Sequence, residues 1–331
     1  MRKMNVKLML VLSGTMLLGG LFAACSDEEK VPESGLSPYV TQVLDFRPAP
    51  GQFVNGIPTW KEGDTQETMN KKVLSAIGNN KKGMISLGGF GGYVVVGFDH
   101  TIENVTGERD FRVLGNAFYA EANPNPNVTR KGGSCEPGIV MVAYDKNKNG
   151  KPDDDEWYEL AGSEYNKEAT TRNYEITYYR PDENKEPVVD DNDPHISDQE
   201  YIRWTDNQNK NGYIPKNVFN ADNSYFPQWI SDQSITFKGT LLPDNGVNEG
   251  TTEEQYWVLY SYDWGYADNV PNEDEGSTFD IDWAVDKKGN KVNLPGVDFI
   301  KVYTGVRQNC GWLGEVSTEV CGVEDLHLLV K

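Results

Sequence analysis

The densest run of chemistry-bearing side chains in the sequence is Asp145-Lys146-Asn147-Lys148-Asn149-Gly150-Lys151-Pro152-Asp153-Asp154-Asp155-Glu156. Oxygen-bearing residues at alternate positions, a glycine sixth and a glutamate twelfth form the pattern of a calcium-binding loop. Calcium takes about six to eight hard oxygens in a flexible cage. Asp145, Asn147 and Asn149 are the expected side-chain ligands. Lys151 would offer its backbone carbonyl, Asp153 a direct or water-mediated oxygen, and Glu156 both carboxylate oxygens. The same residues also serve plain turn chemistry without a metal, since Asn-Gly and Asp clusters favour turns. A helix-flanked sensor site is not expected. A strand-like run, Gly138 to Tyr144, leads in, Trp157-Tyr158-Glu159-Leu160 leads out, and Pro152 opposes helix. The expectation is a structural calcium turn between strands.

Aromatic residues are the second chemical signal. The chain holds 8 Trp and 17 Tyr. Such side chains give rigid contact area with a polar handle. Trp204, Trp229, Tyr260, Trp264 and Tyr266 are the candidate ligand contacts, while Trp257 and Trp283 read as core. Catalytic signatures are missing. There is no nucleophile elbow, no Walker loop and no His-Glu-x-x-His. The three histidines do not cluster, and Gly88 to Gly92 precedes a strand, so it reads as a turn and not a phosphate cradle. No catalytic residue is assigned, and a binding protein is expected rather than an enzyme. A net charge of −20 repels nucleic-acid phosphates and anionic headgroups, so neither is an expected partner.

The N-terminus explains where this chemistry would work. Basic Met1 to Lys7, an apolar run from Leu8 to Phe22 and small Ala23-Ala24 before Cys25 have the three parts of a secretory signal. The run is too short and glycine-rich for a spanning helix, which needs about 20 apolar residues. Residues 1–24 are therefore expected to be removed. The segment Leu21 to Cys25 resembles a bacterial lipobox, with Phe22 bulkier than usual, which implies lipidation of Cys25. Ser26-Asp27-Glu28-Glu29-Lys30 resembles the acidic export tag of Bacteroidota surface lipoproteins, which implies an outer-membrane anchor facing the exterior. Residues 25–40 read as a polar tether. Export permits disulfides. Cys310 and Cys321 are spaced to bridge neighbouring strands or a loop, leaving Cys135 free, although sequence alone does not assign connectivity.

These groups must be held by strands. One helix is expected over Glu67 to Ile77, with Met69, Val73, Ala76 and Ile77 on one face and Gly78 as its stop. The remainder alternates short apolar or aromatic runs with turns, including Tyr93 to Phe98, Gly138 to Tyr144, Tyr174 to Tyr179, Phe279 to Trp283 and Phe299 to Tyr303. That pattern implies an all-β chain, an antiparallel, jelly-roll-like β-sandwich over residues 41–331. An Asp/Asn/Pro-rich stretch around 181–248 reads as a loop-rich insertion. No internal repeat is visible, which argues against a propeller.

Several segments together resemble a known group. They are Ile85 to Gly92 running to His100, Asp110 to Phe118, Glu136 to Val142 leading through the calcium-like loop to Ser163, Val297 to Thr304, and Gly314 to Glu319. The pattern is similar to Bacteroidota cell-surface lipoproteins that accompany outer-membrane cobalamin transporters. The resemblance implies capture of cobalamin or related corrinoids and their transfer to a TonB-dependent transporter. A glycan-binding or adhesion lipoprotein is the alternative, and a calcium-dependent glycan hydrolase a more distant one.

Overall fold

The computed structural model describes residues 35–121, 129–251 and 254–329. Cys25 and the export tag lie outside them. Helix is scarce because strand-forming aromatic and β-branched residues dominate: 8% of the described residues are helical and 37% are strand. The one α-helix among the described residues, Gln66–Ile77, buries Met69, Val73 and Ile77. Thr65 starts it with a reciprocal cap to Thr68, and Gly78 ends it. A cap of this kind satisfies amide groups that the first turn would otherwise leave unpaired.

The strands of the described residues build five antiparallel sheets. The largest runs in the order Gln42–Arg47, Tyr93–Glu103, Gly296–Thr304, Gly138–Ala143, Trp157–Leu160, Ala284–Val285. Two sheets have four strands, one has three, and one pairs Ile85–Ser86 with Glu319–Val320. Together these small sheets stand in a four-bladed, β-propeller-like arrangement, which corrects the single jelly-roll sandwich expected from the strand pattern. Alternation reports which face of a strand is buried but not which strand it pairs with. The absence of a repeat was equally misleading, because sheets of such unequal size need no repeated sequence.

Both faces of the six-stranded sheet are covered. Val140, Val142, Ile300 and Val302 point to one core, shared with the helix. Ile139 and Tyr303 point to the other, with Tyr174, Tyr178, Tyr201 and Phe237. That second core comes from the four-stranded sheet Thr171–Tyr179, Ile196–Asp206, Asn211–Asn217 and Ser234–Leu241. The stretch expected to be loop-rich thus carries much of a sheet: Ile196, Tyr201 and Ile202 are buried among its polar residues. Asp280 to Trp283 also departs from expectation. Asp280 accepts from the Asp282 amide at 2.8 Å and caps a 3-10 turn, Ile281–Trp283, where an alternating strand was expected.

The expected disulfide does not form. Cys310, Cys321 and Cys135 are all free thiols. Cys310 is buried in the second core beside Gly246. Cys321 sits between the strands Glu319–Val320 and Gly322–Asp325, and its amide donates to Leu114. The residues between them fold back through the turn Gly311–Leu313 and carry the two thiols into different surroundings.

Candidate functional site

Chain crossings at the two-stranded sheet gather acidic side chains from distant positions. Glu136 follows the strand Gly132–Ser134, and its amide donates to the Asp268 carbonyl at 2.8 Å. Asp268 takes a left-handed backbone, φ 52°, which Asp tolerates better than most residues. Glu319 opens the strand Glu319–Val320. Carboxylate oxygens of Glu136, Asp268 and Glu319 lie within 4.8 Å of one another, the one such trio among the described residues. Glu315 follows the turn Gly311–Leu313 and lines the same cavity as Glu136 and Glu319.

Backbone amides and hydroxyls hold these groups in place. Asp268 Oδ1 accepts from the Asn116 and Ala117 amides, both at 2.8 Å, and Oδ2 from the Glu319 amide at 2.9 Å. Glu136 accepts from the Ser317 amide and the Ser134 hydroxyl, each at 3.1 Å. The Ser317 hydroxyl donates to Glu319 at 2.9 Å and is itself braced by Ser86 and the Gly88 amide. The glycine-rich turn therefore helps to support this site. Gly115 is required by close approach, since a Cβ there would lie 2.3 Å from Asp268 Oδ1. Glu315 Oε1 accepts from the Gln52 amide at 2.6 Å, whereas its Oε2 is buried with no partner.

No lysine, arginine or histidine pairs with any of the four among the described residues. Burying carboxylates without a counter-charge favours their protonated form, and neighbouring carboxylates add to the effect. Burial pushes Glu136 up to about 7. It raises Glu315 to about 8, with the Glu136 charge adding to it. Asp268 and Glu319 are held well above the ordinary carboxylate range, first by burial and then by the charge of Glu136. Such a group can share protons, accept N–H groups from a ligand or hold a cation.

The cavity above the trio has a volume of about 430 Å³. Phe53, Phe219 and Trp312 line it, exposed by 38%, 67% and 37%. Asn116, Ser134, Asn220 and Ser317 add amide and hydroxyl groups to the wall. His195 packs on Phe219 with ring centroids 6.4 Å apart, and Trp312 Nε1 donates to the Gln255 carbonyl.

The sequence-assigned aromatics have varied surroundings. Trp204 carries the Arg307 guanidinium 4.0 Å from its ring centre and lines a neighbouring cavity of about 130 Å³. Trp229 stacks on Phe46 and donates to Gln66. Tyr260 and Tyr266 are buried, their hydroxyls bonded to Glu249 and to the Glu164 amide. Trp264 is 40% exposed against Trp283. The mouth of the acidic cavity is built by other residues, chosen by long-range pairing. Glu136 and Glu315 to Glu319 did lie in the segments that carried the resemblance, but nothing local marked Asp268, Phe53, Phe219 or Trp312.

The Asp145–Glu156 loop is a hairpin connection between Gly138–Ala143 and Trp157–Leu160. Asp145 accepts from the Asn149 and Gly150 amides, and Asn147 and Asn149 each accept an amide two residues on. Glu156 is 3% exposed and closes the loop by accepting from the Lys146 and Asp153 amides. Gly150 has φ 75° with open space around it. Asp153 accepts from both the Asn147 and Asn149 side chains. The oxygens of Asp145, Asn147 and Asn149 retain lone pairs, and by chemistry they are hard donors.

Among the described residues, no helix is long and apolar enough to cross a membrane. No protein-family model matches the chain, and a search of curated proteins finds no match.

Proposed function

We propose that this chain is a lipid-anchored surface binding protein, tethered through Cys25, that takes its ligand at the cavity above Glu136, Asp268 and Glu319. The observation that carries this reading is the combination of exposed Phe53, Phe219 and Trp312 with a polar, acid-floored pocket. Large exposed aromatics around a concavity are typical of ligand contacts. The ligand is cobalamin or a related corrinoid, passed on to a TonB-dependent outer-membrane transporter. A corrin is a broad, mostly apolar plate rimmed with amides. Its face suits Trp312 and Phe219, and its amide N–H groups suit Asn116, Glu136 and Glu319 as acceptors. The Asp145–Glu156 loop is a separate structural calcium site, supported by its glycine turn and oxygen-rich donors.

Titration of cyanocobalamin into the full chain in detergent tests the reading. Heat release and red colour co-eluting with the protein are expected. No heat and no retained colour with the intact chain would sink the corrinoid assignment.

A further inference from the structure

Buried Asp268, Glu315 and Glu319 and half-buried Glu136, with no basic side chain paired to them among the described residues, present an electrostatic problem that hydrogen bonds only partly solve. Amides and hydroxyls engage Glu136, Asp268 and Glu319. Each carboxylate has about four acceptor sites, so lone pairs remain. Independently, Glu315 Oε2 has no hydrogen-bond partner although the residue is only 7% exposed, and Glu315 lies on the same cavity wall. A buried acceptor left unmatched costs roughly 1–3 kcal/mol, more when charged, so an unmatched one in a native structure points to a missing partner.

The chemistry of that partner follows from the donors. All are oxygens. Hard oxygen donors suit calcium or magnesium. Ligand type separates the two. Calcium takes about six to eight oxygens and readily gathers several carboxylates, whereas magnesium keeps several waters and takes one or two carboxylates. Three carboxylates with oxygens within 4.8 Å of one another suit calcium.

We propose that Glu136, Asp268 and Glu319 bind a calcium-like divalent cation at the floor of the aromatic-rimmed cavity, with the Glu315 charge beside them on the same cavity wall. Glu136 and Glu319 face the cavity. The cation's remaining positions therefore go to water or to an oxygen of whatever ligand enters. This site is distinct from the Asp145–Glu156 loop and does not rest on the corrinoid reading.

The test uses the full chain carrying Asp145→Ala, which disables the loop, stripped with chelator and titrated calorimetrically with calcium chloride. About one calcium per chain is expected, with a Kd at or below about 1 mM. Adding Glu136→Gln and Glu319→Gln should weaken binding at least about 100-fold, because charge count sets affinity at such sites. These amides preserve shape and remove like-charge repulsion, so thermal midpoints in chelator should equal or exceed the parent's. If that combined variant does not fold, Glu315→Gln alone serves. Its Oε2 has no bond to lose, and about tenfold weaker calcium binding is expected. Absence of calcium binding to the Asp145→Ala chain, or binding unchanged by the glutamine substitutions, overturns the proposal.

Discussion

The Asp145–Glu156 loop and the Glu136–Asp268–Glu319 cluster are both rich in carboxylates, yet they solve opposite problems. The loop is contiguous and largely exposed, and its acids are met by amides from within the same twelve residues. Water screens what those amides leave, so the loop can fold with or without a metal. The cluster is assembled from positions up to 183 residues apart, lies under the surface and meets no basic side chain among the described residues. Its charges must be protonated or matched by an ion. Hence an acidic motif visible as a sequence run points to the less demanding site. The stronger electrostatic constraint is the one distributed over the fold.

That contrast can be broken or sharpened by substitution. The largest effect is expected at Gly115. Gly115→Ala drives a methyl into Asp268, and overpacking of this kind costs about 2–3 kcal/mol. Chemical denaturation of the full chain reads this directly, and a loss below about 0.5 kcal/mol would show that the cluster is soft.

A half-buried carboxylate, Glu159, provides a control away from the cluster. Glu159 accepts from the Thr240 hydroxyl at 2.7 Å, and burial raises its pKa from 4.5 to about 7. Its ionised form is therefore disfavoured in the folded chain. The cost is absent below pH 4.5, grows between 4.5 and about 7, and is complete above that. Glu159→Gln should accordingly stabilise the chain at pH 8 by on the order of 2–3 kcal/mol and do nothing at pH 4. A gain equal at both pH values would contradict the assignment.

Smaller effects separate the two aromatic sets. Trp312→Ala is expected to weaken cyanocobalamin binding about tenfold, about 1.4 kcal/mol, with Trp264→Ala nearly silent. Equal losses in the two variants would move the contact surface away from the acidic cavity. The smallest effect falls on the loop. Gly150→Ala meets no neighbouring atom, so only the left-handed backbone resists it, at about 1 kcal/mol. Thermal unfolding in chelator should find it less damaging than Gly115→Ala.

Local order in this fold was legible where local physics decides it. The helix shows its face through Met69, Val73 and Ile77 and its end through Gly78. The strands near Tyr93, Gly138 and Phe299 show themselves through continuous apolar runs. What was hidden depends on pairing. Gly138–Ala143 lies beside Gly296–Thr304, and no short-range pattern encodes that neighbour. The cysteine pair failed for the same reason, since eleven residues of separation say nothing about the turn between them. Asp280 shows the complementary error: an alternating acid–apolar run also fits a side chain that caps a turn. With 51 acidic residues in the chain, Glu136, Glu315 and Glu319 lay in the segments that carried the resemblance without a sign that they meet, and nothing local marked Asp268.

The most direct test of the central claim is anomalous diffraction from crystals of the full chain soaked in a heavy calcium analogue such as terbium. The expected result is a peak between the Glu136, Asp268 and Glu319 carboxylates, with or without a second peak in the Asp145–Glu156 loop. A peak in the loop alone, at a soak concentration that saturates it, would contradict the assignment of the buried cluster as the chain's working cation site.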